Sequence, residues 1–334
     1  MTLSPSDIAD LTALRHDLHR HPELSGQEAQ TARRILAALD GHAPDHMITD
    51  LGGHGIAAIY RGTNPGPTIL FRAELDALPI HEISDNAHRS AYPGTGHLCG
   101  HDGHMTILMG LARILFRQRP ARGRVVLLFQ PAEETGAGAH AVIADPKFGS
   151  VSPDFAFSLH NMPGLPLGHV GLAEGPVNCA SRGLRATLSG KTAHASEPEN
   201  GTSPMAALCS LMPALTALGH GTTRDADFAL VTVTHASMGA AAFGVAPGDA
   251  TLMATLRTLT DDRMEALCTT ALDLLHRTAA QNGLTVDHSF HDIFLHCENH
   301  PEAAAHIRNA LDALGMSHDG SGLPMRASED FGRF

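Results

Sequence analysis

The chain has 334 residues, 43% of them hydrophobic and 17% charged, with no Trp and 24 histidines. That length suits about two domains of roughly 100–200 residues, and the apolar content excludes global disorder. The formal charge of −12 argues against nucleic acid as a partner, because phosphate binding needs clustered Lys and Arg.

The first 26 residues are polar and periodic and lack the apolar core of a signal peptide. Ile8, Leu11, Leu14 and Leu18 recur at helical spacing behind a cap at Ser4 or Ser6, with Pro5 in the first turn. A second helix is expected over 26–41, closed by Gly41. Strand-like runs follow at 55–62 and 67–78, with Pro and Gly at 65–67 making the turn between them. An amphipathic helix is expected over 105–119. The run "GRVVLLFQPAEE" reads as a buried strand with a polar end, and "DFAFSLHNMP" repeats that design. Strands alternating with helices predict an α/β sheet, in which ligands sit beyond the carboxyl ends of the strands.

From Cys179 the pattern changes. Strands are expected at 179–190, 228–239, 249–259 and 284–294, with helices at 203–219 and 262–283. The order β-α-β-β-α-β is the split-βαβ, ferredoxin-like arrangement. A helix at 301–315 then returns to the first domain. The expected boundaries are therefore 1–175 and 294–334 for an α/β domain, and 176–293 for a small inserted α+β domain. The five cysteines, Cys99, Cys179, Cys209, Cys268 and Cys297, are scattered without a CxxC pair. That usage fits a reducing, cytoplasmic setting. No apolar run is long enough for a membrane span.

The stretch "HLCGHDGH", 97–104, concentrates metal-ligand chemistry. Cys99 and His101 offer a thiolate and an imidazole suited to Zn, Co, Ni or Mn. The competing reading is a His-rich surface loop. His104 is expected to pack into the following helix, and His97 is assigned no role. Glu133 and Glu134 follow a buried strand. Adjacent residues on an extended end face opposite ways, so one could ligate a metal while the other serves as general base. His160 holds the equivalent place after the next strand. Three polar strand ends bearing Cys/His, Glu/Glu and His resemble a metal site.

Several ordered motifs carry a resemblance to the M20 metallopeptidases. They are "RHDLHRHPELSGQE" at 15–28, "RAELDALPI" at 72–80, "CGHDGH" at 99–104, "FQPAEETGAGA" at 129–139, "LHNMPGLPLG" at 159–168, "GKTAHASEPENGTSP" at 190–204 and "ASEDFGRF" at 327–334. The chain resembles the amidohydrolase branch with hippurate hydrolases, N-acyl-amino-acid deacylases and auxin-conjugate hydrolases. The resemblance implies a mixed-sheet, zinc-peptidase-like catalytic domain with an inserted dimerisation (lid) domain. It implies two divalent metal ions (Zn, Mn, Co or Ni) held by Cys99, His101, Glu134 and His160, with Cys99 bridging. Glu133 is then the general base that deprotonates the attacking water. Asp76 and Asp102 orient the ligands. His194, from a neighbouring subunit, steadies the oxyanion, and Arg257 grips the substrate carboxylate.

Gly244 departs from the family pattern, which has an asparagine there. After "SEDF" no residue matches the last metal-ligating histidine of the family. The closing part of the catalytic domain is thus expected to be missing and the second metal site weak. The implied activity is hydrolysis of small N-acyl amino acids by a homodimer or homotetramer. The alternatives are a metallo-dipeptidase or aminopeptidase, or an impaired relative that only binds ligand or dimerises.

Overall fold

The computed structural model describes residues 2–334, which fall into two compact units. The first comprises the chain up to Val170, Pro301–His318 and Arg333–Phe334. The second comprises Gly171–His300 and Asp319–Gly332.

Helix α1 (Pro5–Arg20) begins at a capping box. The Ser4 hydroxyl accepts from the Asp7 amide, and the Asp7 carboxylate accepts from the Ser4 amide at 2.8 Å. Asp7 also receives Arg113 at 3.1 Å and Arg117 at 2.6 Å, both from α3 (His101–Arg117), so one carboxylate caps α1 and ties it to a second helix. Helix α2 (Ala29–Asp40) buries Ile35 and Leu39.

The strands of the first unit are β1 (His46–Leu51), β2 (Gly55–Arg61), β3 (Asn64–Glu74), β4 (Arg122–Gln130) and β5 (Phe155–Ser158). They form a mixed sheet in the order β1-β2-β4-β3-β5. β3 runs parallel to β4 and β5, while β2 is antiparallel to β1 and β4. Strand β1 has no counterpart among the sequence-based expectations. The turn expected at 65–67 is also displaced. The chain reverses at Gly62–Thr63, and Pro65–Pro67 lies inside β3. There the register with β4 slips between Asn64 and Thr68, and this bulge accommodates two prolines that have no N–H to pair.

Leu11, Leu18, Met105 and Met109 from the helices pack with Ile56, Tyr60, Leu127 and Phe129 of the sheet. A second cluster joins Leu51, Ile59, Leu70 and Leu128 to Val142 of the short α4 (Gly138–Ala144). Each fully buried aliphatic or aromatic side chain contributes about 1.5–3 kcal/mol. In register, Glu74 lies opposite Gln130 and Arg72 opposite Ser158. The carboxyl ends of β3, β4 and β5 therefore meet at one edge.

Past the two-residue β6 (Val170–Gly171), the second unit contains β7 (Gly175–Asn178), β8 (Ala180–Ser189), β9 (Ala193–His194), α5 (Met205–Thr216), β10 (Ala229–Met238), β11 (Val245–Ala246), β12 (Asp249–Thr258), α6 (Asp261–Gln281) and β13 (Thr285–Phe294). Four strands form an antiparallel sheet in the order β10-β12-β8-β13. With α5 and α6 this is the β-α-β-β-α-β order expected from the sequence. Leu184, Leu188, Leu211, Leu215, Leu252, Leu256 and Leu275 pack into its core. Helix α7 (Pro301–Leu314) belongs to the first unit. Among the described residues no helix is long and apolar enough to cross a membrane.

Candidate metal centre

Four segments converge at the carboxyl ends of the parallel strands. Asp76 lies two residues past β3. Its carboxylate accepts from the Ser25 hydroxyl at 2.7 Å and the Glu134 amide at 2.9 Å. Its carbonyl accepts the Nδ1 proton of His101 at 2.8 Å. That bond leaves the other ring nitrogen of His101, Nε2, facing Glu134 Oε1 at 3.8 Å and Glu133 Oε2 at 3.9 Å. Those separations are too long for hydrogen bonds. The Glu134 separation suits two atoms that each ligate one ion at about 2.0–2.2 Å. A carbonyl-anchored Nδ1 with Nε2 turned to a ligand is how metal-binding imidazoles are usually oriented.

Cys99 and His160 complete the cluster, with Sγ and Nε2 3.2 Å apart and His160 Nδ1 donating to the Asn161 carbonyl at 2.8 Å. Ligand atoms of Cys99, His101 and His160 all lie within 4.8 Å of one another, and so do those of His101, Glu133 and Glu134. Gly100 makes this convergence possible. Its φ is +102°, and a Cβ there would fall 2.1 Å from Asn161 Oδ1.

The two glutamates reach the site differently from expectation. They do not sit on an extended strand end. The chain enters a turn through Ala132 at φ +52°, and both carboxylates approach the same imidazole. Gly138 closes that turn, since a Cβ there would lie 1.7 Å from the Pro131 carbonyl oxygen.

The electrostatics call for positive charge. Burial, followed by the negative charges of Glu134, Glu133 and Glu74, pushes the Cys99 thiol well above its ordinary pKa. Burial alone would lower His101, but Glu74, Asp76 and Glu134 outweigh it and raise its pKa. A divalent cation would relieve both, displacing the thiol and imidazolium protons. The donor set and its charge therefore fit a metal ion.

Other residues behave less simply. His104 is buried in α3 and pairs through Nδ1 with Glu74 at 2.6 Å and through Nε2 with Asn161 at 2.6 Å. Glu74 is in turn paired with Arg72, which donates to Gln130 at 3.0 Å. Arg72 and Glu74 are functional candidates that the sequence reading passed over. The available signal was two charges inside an otherwise apolar strand. Asp102 receives Arg15 Nε and His19 Nδ1, each at 3.1 Å. His97 is buried with neither ring nitrogen hydrogen-bonded, and burial lowers its pKa to about 3.

His194 and Arg257 belong to the second unit. His194 is exposed on β9 opposite Val245. The Ser196 amide donates to its Nδ1 at 3.2 Å, which places the ring proton on Nε2. Arg257 lies half-buried on β12, and its guanidinium donates to the Arg326 carbonyl at 2.8 Å. No carboxylate pairs with it among the described residues. All five cysteines are free, and only Cys209 is exposed.

Comparisons with known proteins agree with this chemistry. Residues 70–334 match the peptidase family M20/M25/M40. An N-acetylcysteine deacetylase of Bacillus subtilis is 34% identical over 258 residues, covering 77% of this chain and 67% of the relative. An IAA-amino acid hydrolase of Arabidopsis thaliana (ILR1-like 5) is 33% identical over 338 residues, covering 96% of this chain and 74% of the relative. The crystal structure of the Bacillus subtilis YxeP protein, a dinuclear metal binding peptidase from the M20 family, superposes with a TM-score of 0.79 at 28% identity. The match covers 99% of this chain and 86% of that one. The chain belongs to peptidase family M20/M25/M40.

Proposed function

We propose that this chain is a metal-dependent amidohydrolase that cleaves small N-acyl amino acids, hippurate-like or N-acetylated, to a carboxylate and a free amino acid. The observation that carries the reading is the meeting of Cys99, His101 and His160 with Glu133 and Glu134 around one buried imidazole. The names N-acetylcysteine deacetylase and IAA-amino acid hydrolase, borne by two relatives, both describe hydrolysis of an amino-acid conjugate.

Cys99, His101, Glu134 and His160 would hold two divalent ions, and zinc, manganese, cobalt and nickel all suit that donor set. The chemistry such ions supply when bound is activation of water and polarisation of the scissile carbonyl. Glu133 Oε2 takes the proton from the attacking water and passes it to the leaving nitrogen. Asp76 fixes the His101 ring through its carbonyl and the Glu134 turn through its carboxylate. In the second unit, His194 presents an Nε2 proton suited to a developing oxyanion. Arg257, which pairs with no acid among the described residues, offers its charge to the substrate carboxylate. We assign residues 176–293 as an inserted dimerisation domain in a cytoplasmic homodimer.

Glu133→Gln tests the general base. Metal content should stay at the wild-type level while hydrolysis of hippurate and N-acetyl amino acids falls by about 10²–10⁴-fold. Turnover at the wild-type rate would refute the role. Cys99→Ala should lose metal without unfolding, and unchanged metal content would refute the ligand set.

A further inference from the structure

Residues 75–100, between β3 and α3, form a long connection without a helix or ladder strand. Segments of that length inside a compact unit are uncommon and are usually functional. This one ends in Cys99 and must be held still if Cys99 and His101 are to meet one ion. Its middle hangs on the last turn of α1. Arg20 donates to the Ala87 carbonyl at 2.8 Å, and the Ala91 amide donates to the Arg20 carbonyl at 2.9 Å. Glu82, itself buried, gathers the segment from within. Its carboxylate accepts from the Ser84 hydroxyl at 2.6 Å and the Ser90 amide at 2.7 Å.

His19 joins this segment to the metal-ligand helix. Its Nε2 lies 3.2 Å from Glu82 Oε1 and its Nδ1 lies 3.1 Å from Asp102 Oδ2. While both carboxyls are ionised they can only accept, so each ring nitrogen must donate and the ring then carries a proton on both. Asp102 directly follows His101 on α3, and Arg15 gives it a second donor at 3.1 Å. One buried cation thus bridges a carboxylate of the segment that ends in Cys99 and a carboxylate of the turn that carries His101.

We propose that His19 is a positioning residue for the metal centre, clamping the Cys99 segment to the His101 helix through Glu82 and Asp102. The proposal rests on the reading of Cys99 and His101 as metal ligands. Because Arg15 still holds Asp102 when His19 is replaced, the loss should fall on Glu82 and hence on the placement of Cys99.

The test is cobalt(II) titration of the metal-stripped protein, read by thiolate-to-cobalt charge-transfer absorption, with thermal unfolding alongside. Wild type should show the band and Cys99→Ala should lack it. His19→Gln should stay folded and bind cobalt about 10–100-fold more weakly, the range for removing a partner that orients a ligand. Glu82→Ala should weaken binding in the same direction. In His19→Gln/Glu82→Gln the amide of residue 19 can donate to Asp102 and accept from residue 82, so affinity should recover to within severalfold of wild type. Wild-type affinity in both single variants, with the band lost in Cys99→Ala, overturns the clamp and spares the ligand set. Weakened singles without recovery in the double variant also overturn it, since simple packing then suffices. A wild-type band in Cys99→Ala overturns the ligand reading itself, and the clamp with it. Should His19→Gln fail to fold, wild-type cobalt affinity in Glu82→Ala overturns the clamp, and recovery in the double variant relative to Glu82→Ala supports it.

Discussion

The sheet of the second unit buries an apolar face. Leu184, Leu188, Leu252 and Leu256 of its strands meet Leu211, Leu215 and Leu275 of its helices with no charge among them. The strand-end edge of the first sheet buries Arg72, Glu74, Gln130, His104, Asp102, His19 and Glu82. Each of those charged groups is matched, Arg72 and His104 by Glu74, and His19 by Asp102 and Glu82. One face is held by area removed from water, which is indifferent to direction. The other is held by hydrogen bonds that fix each atom, at the expense of desolvating every partner. Directional packing is spent where ligand atoms must converge and omitted where a core only needs to be filled.

Breaking the charged edge should produce the largest effect. Arg72→Met leaves Glu74 buried without its guanidinium and should cost about 3–5 kcal/mol in denaturant unfolding. It should also disturb cobalt binding through His104 and Asn161. A loss under about 1 kcal/mol would show that the pair is dispensable. The matched change in the apolar core is Leu211→Ala, which should cost about 2–5 kcal/mol by cavity formation. Cobalt affinity should not change. If both variants lower metal affinity equally, the charged edge has no special part in placing the ligand atoms.

The smallest effect is a pH dependence confined to the charged edge. Hydrogen bonding to Asp102, opposed by burial, raises the His19 pKa above 6.5, so its stabilisation is complete below that pH and is lost as pH rises through the raised value. Glu82 and Asp102 are depressed from 4.5 and 3.8 to about 2. Burial opposes both shifts, which arise from hydrogen bonds to Ser84, Ser90 and His19 for Glu82 and to His19 for Asp102. Their stabilisation is complete above pH 4.5 and fades as pH falls toward 2. The Tm difference between wild type and His19→Gln should therefore be largest between pH 4.5 and 6.5 and narrow on both sides. A difference that is flat from pH 3 to 9 would remove the ionic part of the bridge.

Much of this was legible in the chain itself. The helical spacing of Ile8, Leu11, Leu14 and Leu18, the run Val125–Phe129 and the β-α-β-β-α-β order are local patterns, and each is realised. Strand β1 escaped because His46, Asp50 and Thr49 dilute its apolar positions, leaving only Ile48 and Leu51 buried. The turn around Pro65 was misplaced because a bulge lets a strand carry prolines, and a bulge depends on the partner strand. The metal-ligand candidates stood out because thiol, imidazole and paired carboxylates cluster in sequence. Their supports did not. Glu74 meets His104 thirty positions later, and His19 meets Asp102 eighty-three positions later. A charge in a strand or a histidine in a helix looks the same in sequence whether it is solvated or paired.

The crossing at Gly100 bears on how this centre can change by descent. Asn161 occupies the space in which a side chain at position 100 would begin, so the two positions form a single lock. A substitution at Gly100 must meet both the strain of its positive φ and the Asn161 side chain, so shrinking Asn161 should relieve only part of the cost, a non-additive pair. Cys99 and His101 flank that lock. Any exchange of one candidate donor for another at position 99 or 101 would therefore have to keep the backbone path that Gly100 sets between them.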